Sequence, residues 1–145
     1  MMRILVLLWG LIAFAIPAGA WAQDEADAAL RQLVADYTGL YTKQDLPRWR
    51  ELFLPGFTAA STNEDGSVSV RTLDAFHAAQ ESGFAESADM GERLENVRIE
   101  RHGDLASVWA DFVFWADGPP SRGRLVLLAI RQAEGWRLHS LMFAY

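Results

Sequence analysis

The residues best suited to chemistry in this 145-residue chain are two tyrosines, one histidine and one aspartate. Tyr37 and Tyr41, in "ADYTGLYTKQDL", stand one helical turn apart and fall on one helix face. There they either point hydroxyls into a pocket or pack as core aromatics with satisfied hydroxyls. His77, in "TLDAFHAAQESGF", shares a helix side with Leu73, Phe76 and Gln80; it suits a general base or a partly buried structural histidine. Asp111 lies between Trp109 and Trp115 on one strand face, where a carboxylate is costly to bury without a cation, a donor or a proton. Arg124, Arg131 and Arg137 on neighbouring strands are the available cations, giving either an Asp–Arg pair at a subunit interface or an acid in a ligand site. Tyr37, His77 and Asp111 are therefore the catalytic candidates. Tyr37, Tyr41, Trp49, Phe53 and His77 are the ligand-binding candidates.

The elements that must position these groups follow from hydrophobic periodicity. From Glu25 to Lys43, apolar residues at Leu30, Leu33, Val34, Tyr37, Leu40 and Tyr41 recur at spacings of three and four, the stripe of a helix lying on a core. In "KQDLPRWRELFLPGF", Asp45 is suited to cap a short second helix with Trp49, Leu52 and Phe53 on one face, ended by Pro55 and Gly56. Asp65 and Gly66 sit between β-prone flanks and read as a hairpin turn. A third helix runs from an N-cap at Thr72 to Gly83. The period then becomes two, and "RLENVRIERHGD", "LASVWADFVFWADG", "GRLVLLAIRQAEG" and "GWRLHSLMFAY" read as four strands of a meander.

Alternation sorts the strand faces. Ala106, Val108, Ala110, Phe112 and Phe114 make one wholly apolar row, opposite a mixed row of Ser107, Trp109, Asp111, Val113 and Trp115. On the last strand, period two puts Trp136, Leu138 and Met142 on one face and Leu141, Phe143 and Tyr145 on the other. An antiparallel sheet with one wet face should alternate cleanly. Both faces are therefore expected to be covered, one by helices and the other by a second subunit, with Trp109, Asp111, Trp115, Arg131, Arg137 and His139 at that interface.

Composition narrows the function classes. Residues 1 to 22 carry Arg3, an apolar run from Ile4 to Ile16 and an A-x-A pattern at Ala20 and Ala22, which reads as a secretory signal cleaved after Ala22 of a periplasmic or secreted protein; the alternative, a retained N-terminal anchor, is disfavoured by Pro17 and Gly19. The remaining residues 23–145 form one domain holding 12 basic and 19 acidic residues, a net charge of −7. That balance argues against nucleic acid and against anionic membrane surfaces once the signal is removed. With no cysteine, an exported fold must hold by packing alone. Three scattered histidines and no clustered carboxylates predict no metal site, and neither a Gly-rich phosphate loop nor a G-x-S-x-G elbow is present. No cofactor is expected.

Helices, a hairpin followed by a helix, then a four-strand meander: this order resembles the nuclear transport factor 2-like superfamily. The likeness rests on "ADYTGLYTKQDLPRWRELFLPGFTAAST" and on "ASVWADFVFWADGPPSRGRLVLLAIRQAEGWRLHSLMFAY", whose "GWRL" is similar to the final strand of SnoaL-like and related bacterial branches. The resemblance implies an α+β, cone-shaped fold with three N-terminal helices packed on a curved antiparallel sheet around a pocket. It fixes a pocket, not a reaction. In the ketosteroid isomerase branch, a Tyr on the first helix precedes an Asp by eight residues, as Tyr37 precedes Asp45 here. The position of that branch's proton-abstracting carboxylate is Ser61, which cannot serve as such a base. The expectation is an exported homodimeric module binding a small apolar ligand. Its alternatives are a cofactor-free lyase, isomerase or hydrolase in the same pocket, and a structural dimerisation domain of the cell envelope.

Overall fold

The computed structural model describes residues 18–63 and 65–145, with side chains from Glu25 onward. Most of the expected signal segment lies outside the described residues. The first helix, α1 (Ala18–Gly39), presents Leu30, Leu33, Val34 and Tyr37 to the core, as its stripe requires. It ends before Tyr41, which lies buried in the connection to α2 (Leu46–Arg50). Asp45 makes no side-chain capping bond there and pairs instead with Arg48 at 3.1 Å. The second helix is shorter than its sequence suggests, because Phe53 already belongs to β1 (Phe53–Thr62). Pro55 and Gly56 consequently fall within that strand, where its pairing register shifts between Phe53 and Thr58, and irregular pairing is what lets a proline stay in a sheet.

The Asp65–Gly66 turn leads into β2 (Val68–Thr72), with the Ser67 amide donating to Asp65 Oδ1 at 2.9 Å. The third helix, α3 (Leu73–Glu86), starts at an N-cap in which Thr72 accepts from the Ala75 amide, and it continues past Gly83. Then come β3 (Gly91–His102), β4 (Leu105–Trp115), β5 (Ser121–Gln132) and β6 (Gly135–Ala144). The expectation of three N-terminal helices is corrected, since α3 is inserted between β2 and β3. A wholly antiparallel sheet is corrected too. The six strands order β2-β1-β6-β5-β4-β3, and β1 pairs with β6 in parallel. The parallel pairing follows from chain economy: β6 returns to the middle of the sheet beside β1, where both can be buried.

Two irregularities decide which residues face the helices. In β6, Ser140 pairs with Leu128 and Leu138 with Ala129, so His139 is an extra residue. Trp136 and Leu138 before it, and Leu141 and Phe143 after it, therefore all point to the helix side. The apolar residues that period two divides between two faces belong largely to one. In β3 the register shifts between Glu95 and Arg98, with Asn96 at φ 52°, so that Glu92 and Leu94 share the inner face with Ile99 and Arg101. Such bulges sharpen twist and bend the sheet around the helices.

The indole of Trp136 ties β6 to α1 by donating to the Ala26 carbonyl at 3.1 Å, and Arg101 reaches Asp27 on the same helix. On the outer face Trp109, Leu128 and Met142 are exposed. The ring of Trp115 lies on Gly91, whose missing side chain makes room for it; a Cβ there would come within 2.4 Å of the indole. Arg131 is corrected from the outer row to the helix side of β5, where it lines a hollow with Trp136 and pairs with Asp104 at 2.7 Å.

Candidate functional site

Between the helices and the inner sheet face lies a cavity of about 290 Å³. Tyr37, Tyr41 and Trp49 form one wall, Phe76 and Gln80 of α3 another, and Phe112, Phe114, Leu125, Leu141 and Phe143 the floor. Arg71 from β2 and Glu92 from β3 also line it. Those two strands are the opposite edges of the sheet, so the sheet must curl far enough for both edges to flank one space. A larger hollow of about 660 Å³ lies on the outer face by Leu105, Leu128, Ile130 and His139, but no buried titratable group faces it.

Glu92 is the group the sequence reading omits. It pairs with Phe114 across β3 and β4, and the alternation that turns Leu94 inward turns Glu92 inward as well. Its Oε1 is buried with no hydrogen-bond partner among the described residues. Burial is the main cause that pushes its carboxyl from an ordinary 4.5 up to about 7, opposed by the hydroxyl of Tyr37 as donor. Tyr37 is in turn pushed well up, first by burial and then by the Glu92 charge. Tyr41 is raised for the same reasons, and its hydroxyl donates to Oε1 of Gln80. Tyr145, whose ring meets Phe112 at 5.4 Å, also lines the cavity and is raised by burial and by Glu92. The site thus combines an acid that changes protonation near neutrality, phenol donors and an aromatic lining.

Of the catalytic candidates, the structure brings only Tyr37 to this cavity. His77 is buried, but its Nε2 lies 3.3 Å from the Leu46 carbonyl and its Nδ1 3.6 Å from Glu81, so it faces α2 rather than the cavity. The difference is one of rotation about α3: Phe76, Gln80 and Gly83 turn to the cavity, while His77 points past its edge. Asp111 sits on the outer face, where Asn96 at 2.8 Å and Arg124 at 3.0 Å hold its carboxyl below the usual range. Tyr37, His77 and Asp111 therefore do not converge on one cavity. Among the ligand-binding candidates Tyr41 and Trp49 line the cavity, whereas Phe53 packs behind Trp49 with ring centroids 4.6 Å apart. Asp45, eight residues after Tyr37, is engaged by Thr42 and Arg48 and lies outside the cavity. Among the described residues there is no cluster of three or more metal-ligating side chains, and no helix is long and apolar enough to cross a membrane.

The model of the SnoaL-like domain family matches residues 23–141. No curated protein matches the chain by sequence. Among solved structures, the chain is similar to a nuclear transport factor 2-like protein with a cystatin-like fold from Novosphingobium aromaticivorans, at 18% identity and a TM-score of 0.71, covering 93% of this chain and 91% of that one. It is similar also to a protein from Kribbella flavida, at 19% identity and a TM-score of 0.69 over 84% and 91% of the two chains. A third likeness is to a nuclear transport factor 2-like protein of unknown function from Silicibacter pomeroyi, at 23% identity and a TM-score of 0.64 over 83% and 96%. At these identities the structural likeness establishes the fold.

Proposed function

The chain belongs to the SnoaL-like domain family, and we propose from that membership and from its cavity that it is an exported module binding one small, largely apolar molecule between helices and sheet. The observation that carries this reading is a 290 Å³ space ringed by aromatic side chains around a carboxylate oxygen with no partner. Native interiors leave few such voids and fewer such orphaned atoms, so an occupant that fills one and satisfies the other is the economical explanation. The export part of the reading rests on the sequence pattern alone: Arg3, the apolar run from Ile4 to Ile16 and the A-x-A at Ala20 and Ala22.

Ala79 lines the cavity from α3 and is only partly buried, so Ala79→Trp should obstruct the cavity with little strain on the core. Wild type should bind indole or toluene in the cavity, seen as a rise in melting temperature and by ligand-observed NMR. Ala79→Trp should weaken that binding at least tenfold, because an indole of its own takes the space. Equal binding by the two proteins, or none by wild type, would remove the reading.

A second reading, acid–base catalysis on the bound molecule, is favoured by Glu92 titrating near 7 beside the Tyr37 hydroxyl. In that case Glu92, Tyr37 and Tyr41 take the roles for which His77 and Asp111 stand too far away.

We also propose that the outer sheet face joins two copies of the chain. Trp109, Leu128 and Met142 are each more than 40% exposed on neighbouring strands, a contiguous apolar surface of the kind that monomers seldom leave wet. Light scattering should give twice the monomer mass for wild type and the monomer mass for Leu128→Glu, which would set two buried charges against each other. A wild-type monomer at high micromolar concentration would exclude the dimer.

A further inference from the structure

The polar inventory of the cavity is sparse, and that sparseness specifies what it would hold. Tyr41 already donates to Gln80, and Tyr37 faces Glu92. One buried polar atom among the described residues is left without a partner. Glu92 Oε1 is buried and accepts from nothing. Arg71, exposed at the rim, is in no ion pair among the described residues, so its guanidinium is free to meet a ligand.

Their positions are complementary. Arg71 of β2 stands opposite the buried Ala59 of β1, and Glu92 of β3 opposite Phe114 of β4, so both belong to the inner face, at the two edges of the curled sheet. A buried acceptor from one edge and an exposed guanidinium from the other thus line the same cavity, together with aromatic side chains. Resting on the reading of this cavity as a binding site, we propose that its ligand is a single aromatic ring carrying a hydroxyl or amino donor at one end and an anionic group at the other. The donor would satisfy Glu92 Oε1, the anion would pair with Arg71, and the ring would stack among Trp49, Phe76 and Phe112. The volume, at the lower limit of small-molecule sites, has room for one substituted ring. The acidity of the whole protein does not forbid an anion. Screening over a Debye length of about 8 Å mutes the distant charges, while the Arg71 contact acts at hydrogen-bond range.

Four probes separate the terms at pH 8: 4-hydroxybenzoate carries both groups, phenol the donor only, benzoate the anion only, and toluene neither. Wild type should bind 4-hydroxybenzoate at least tenfold tighter than phenol or benzoate in calorimetric or NMR titration. Arg71→Met, on an exposed edge strand, should abolish the preference over phenol. Glu92→Met should abolish the preference over benzoate while keeping the fold. If toluene binds as tightly as 4-hydroxybenzoate, or if neither variant changes the ranking, this assignment is overturned and the simple apolar pocket survives. If none of the four rings binds, both fall together.

Discussion

Replacing Glu92 by Gln should flatten the pH dependence of stability between pH 4.5 and about 7 and leave the protein more stable than wild type at pH 8. The sign follows from the proton balance. In the unfolded chain this carboxyl ionises near its ordinary 4.5, whereas burial holds the folded form protonated up to about 7. Between those values the folded state binds the extra proton, so unfolding releases it and stability falls as pH rises. The contribution is fully present below 4.5 and lost once pH passes 7. A displacement of that size corresponds to about 3 kcal/mol at roughly 1.4 kcal/mol per pH unit, a large fraction of the 5 to 15 kcal/mol that holds a typical domain together. Glutamine has nearly the same shape and no charge, so it removes the titration while keeping the packing. Urea melts of both proteins from pH 4 to 9 measure the difference directly, because every other titrating group is shared. Parallel curves would mean that Glu92 is solvated and that the cavity is wet.

That such a residue escapes a reading of the sequence has a specific cause. The β3 sequence "GERLENVRIERH" carries six charged residues spread along its twelve positions, the look of a solvated strand. Only the register shift at Asn96 and Val97 keeps Glu92 and Leu94 in phase with Ile99 and Arg101; strict alternation instead groups Glu92 with Arg98 and Glu100. The legible signal was Leu94, two residues on and therefore on the same face. The extra residue at His139 hid the inner face of β6 in the same way and made a one-sided strand look two-sided. Tyr37, Tyr41 and Trp49 were legible because helical stripes are local, and a period of 3.6 survives without knowledge of neighbours. His77 shows the limit of that logic: a stripe identifies the buried side of α3 but not which neighbour, α2 or the sheet, each member will meet. The order of elements along the chain is legible almost completely from local pattern. The parallel β1–β6 pairing is not, since nothing in either strand states its partner.

The largest loss should come from Trp49→Ala. Trp49 is 1% exposed and meets Tyr41 at 5.1 Å, Phe53 at 4.6 Å and Phe76 at 5.7 Å between ring centroids, so it joins both N-terminal helices to α3 and the first strand. Its indole also donates to the Tyr37 carbonyl at 2.7 Å, one of the last four carbonyls of α1, which the helix itself cannot satisfy. Truncation removes the packing and leaves a void where relaxation is limited by the surrounding rings, a change that typically costs about 3 to 5 kcal/mol. Trp49→Phe keeps most of the ring contacts and loses the hydrogen bond, so its cost should be nearer 1 to 2 kcal/mol. Chemical denaturation at pH 5 should therefore order the proteins as wild type, Trp49→Phe, Trp49→Ala. The pH dependence supplies an independent check, because Trp49 and Glu92 line the same cavity. Water admitted by the alanine variant should return Glu92 toward 4.5 and erase most of the slope that Glu92→Gln erases by removing the acid. Destabilisation by Trp49→Ala with the slope intact would mean that Trp49 holds the helices but does not keep the cavity dry, and the raised acidity of the site would then have to come from the sheet side alone.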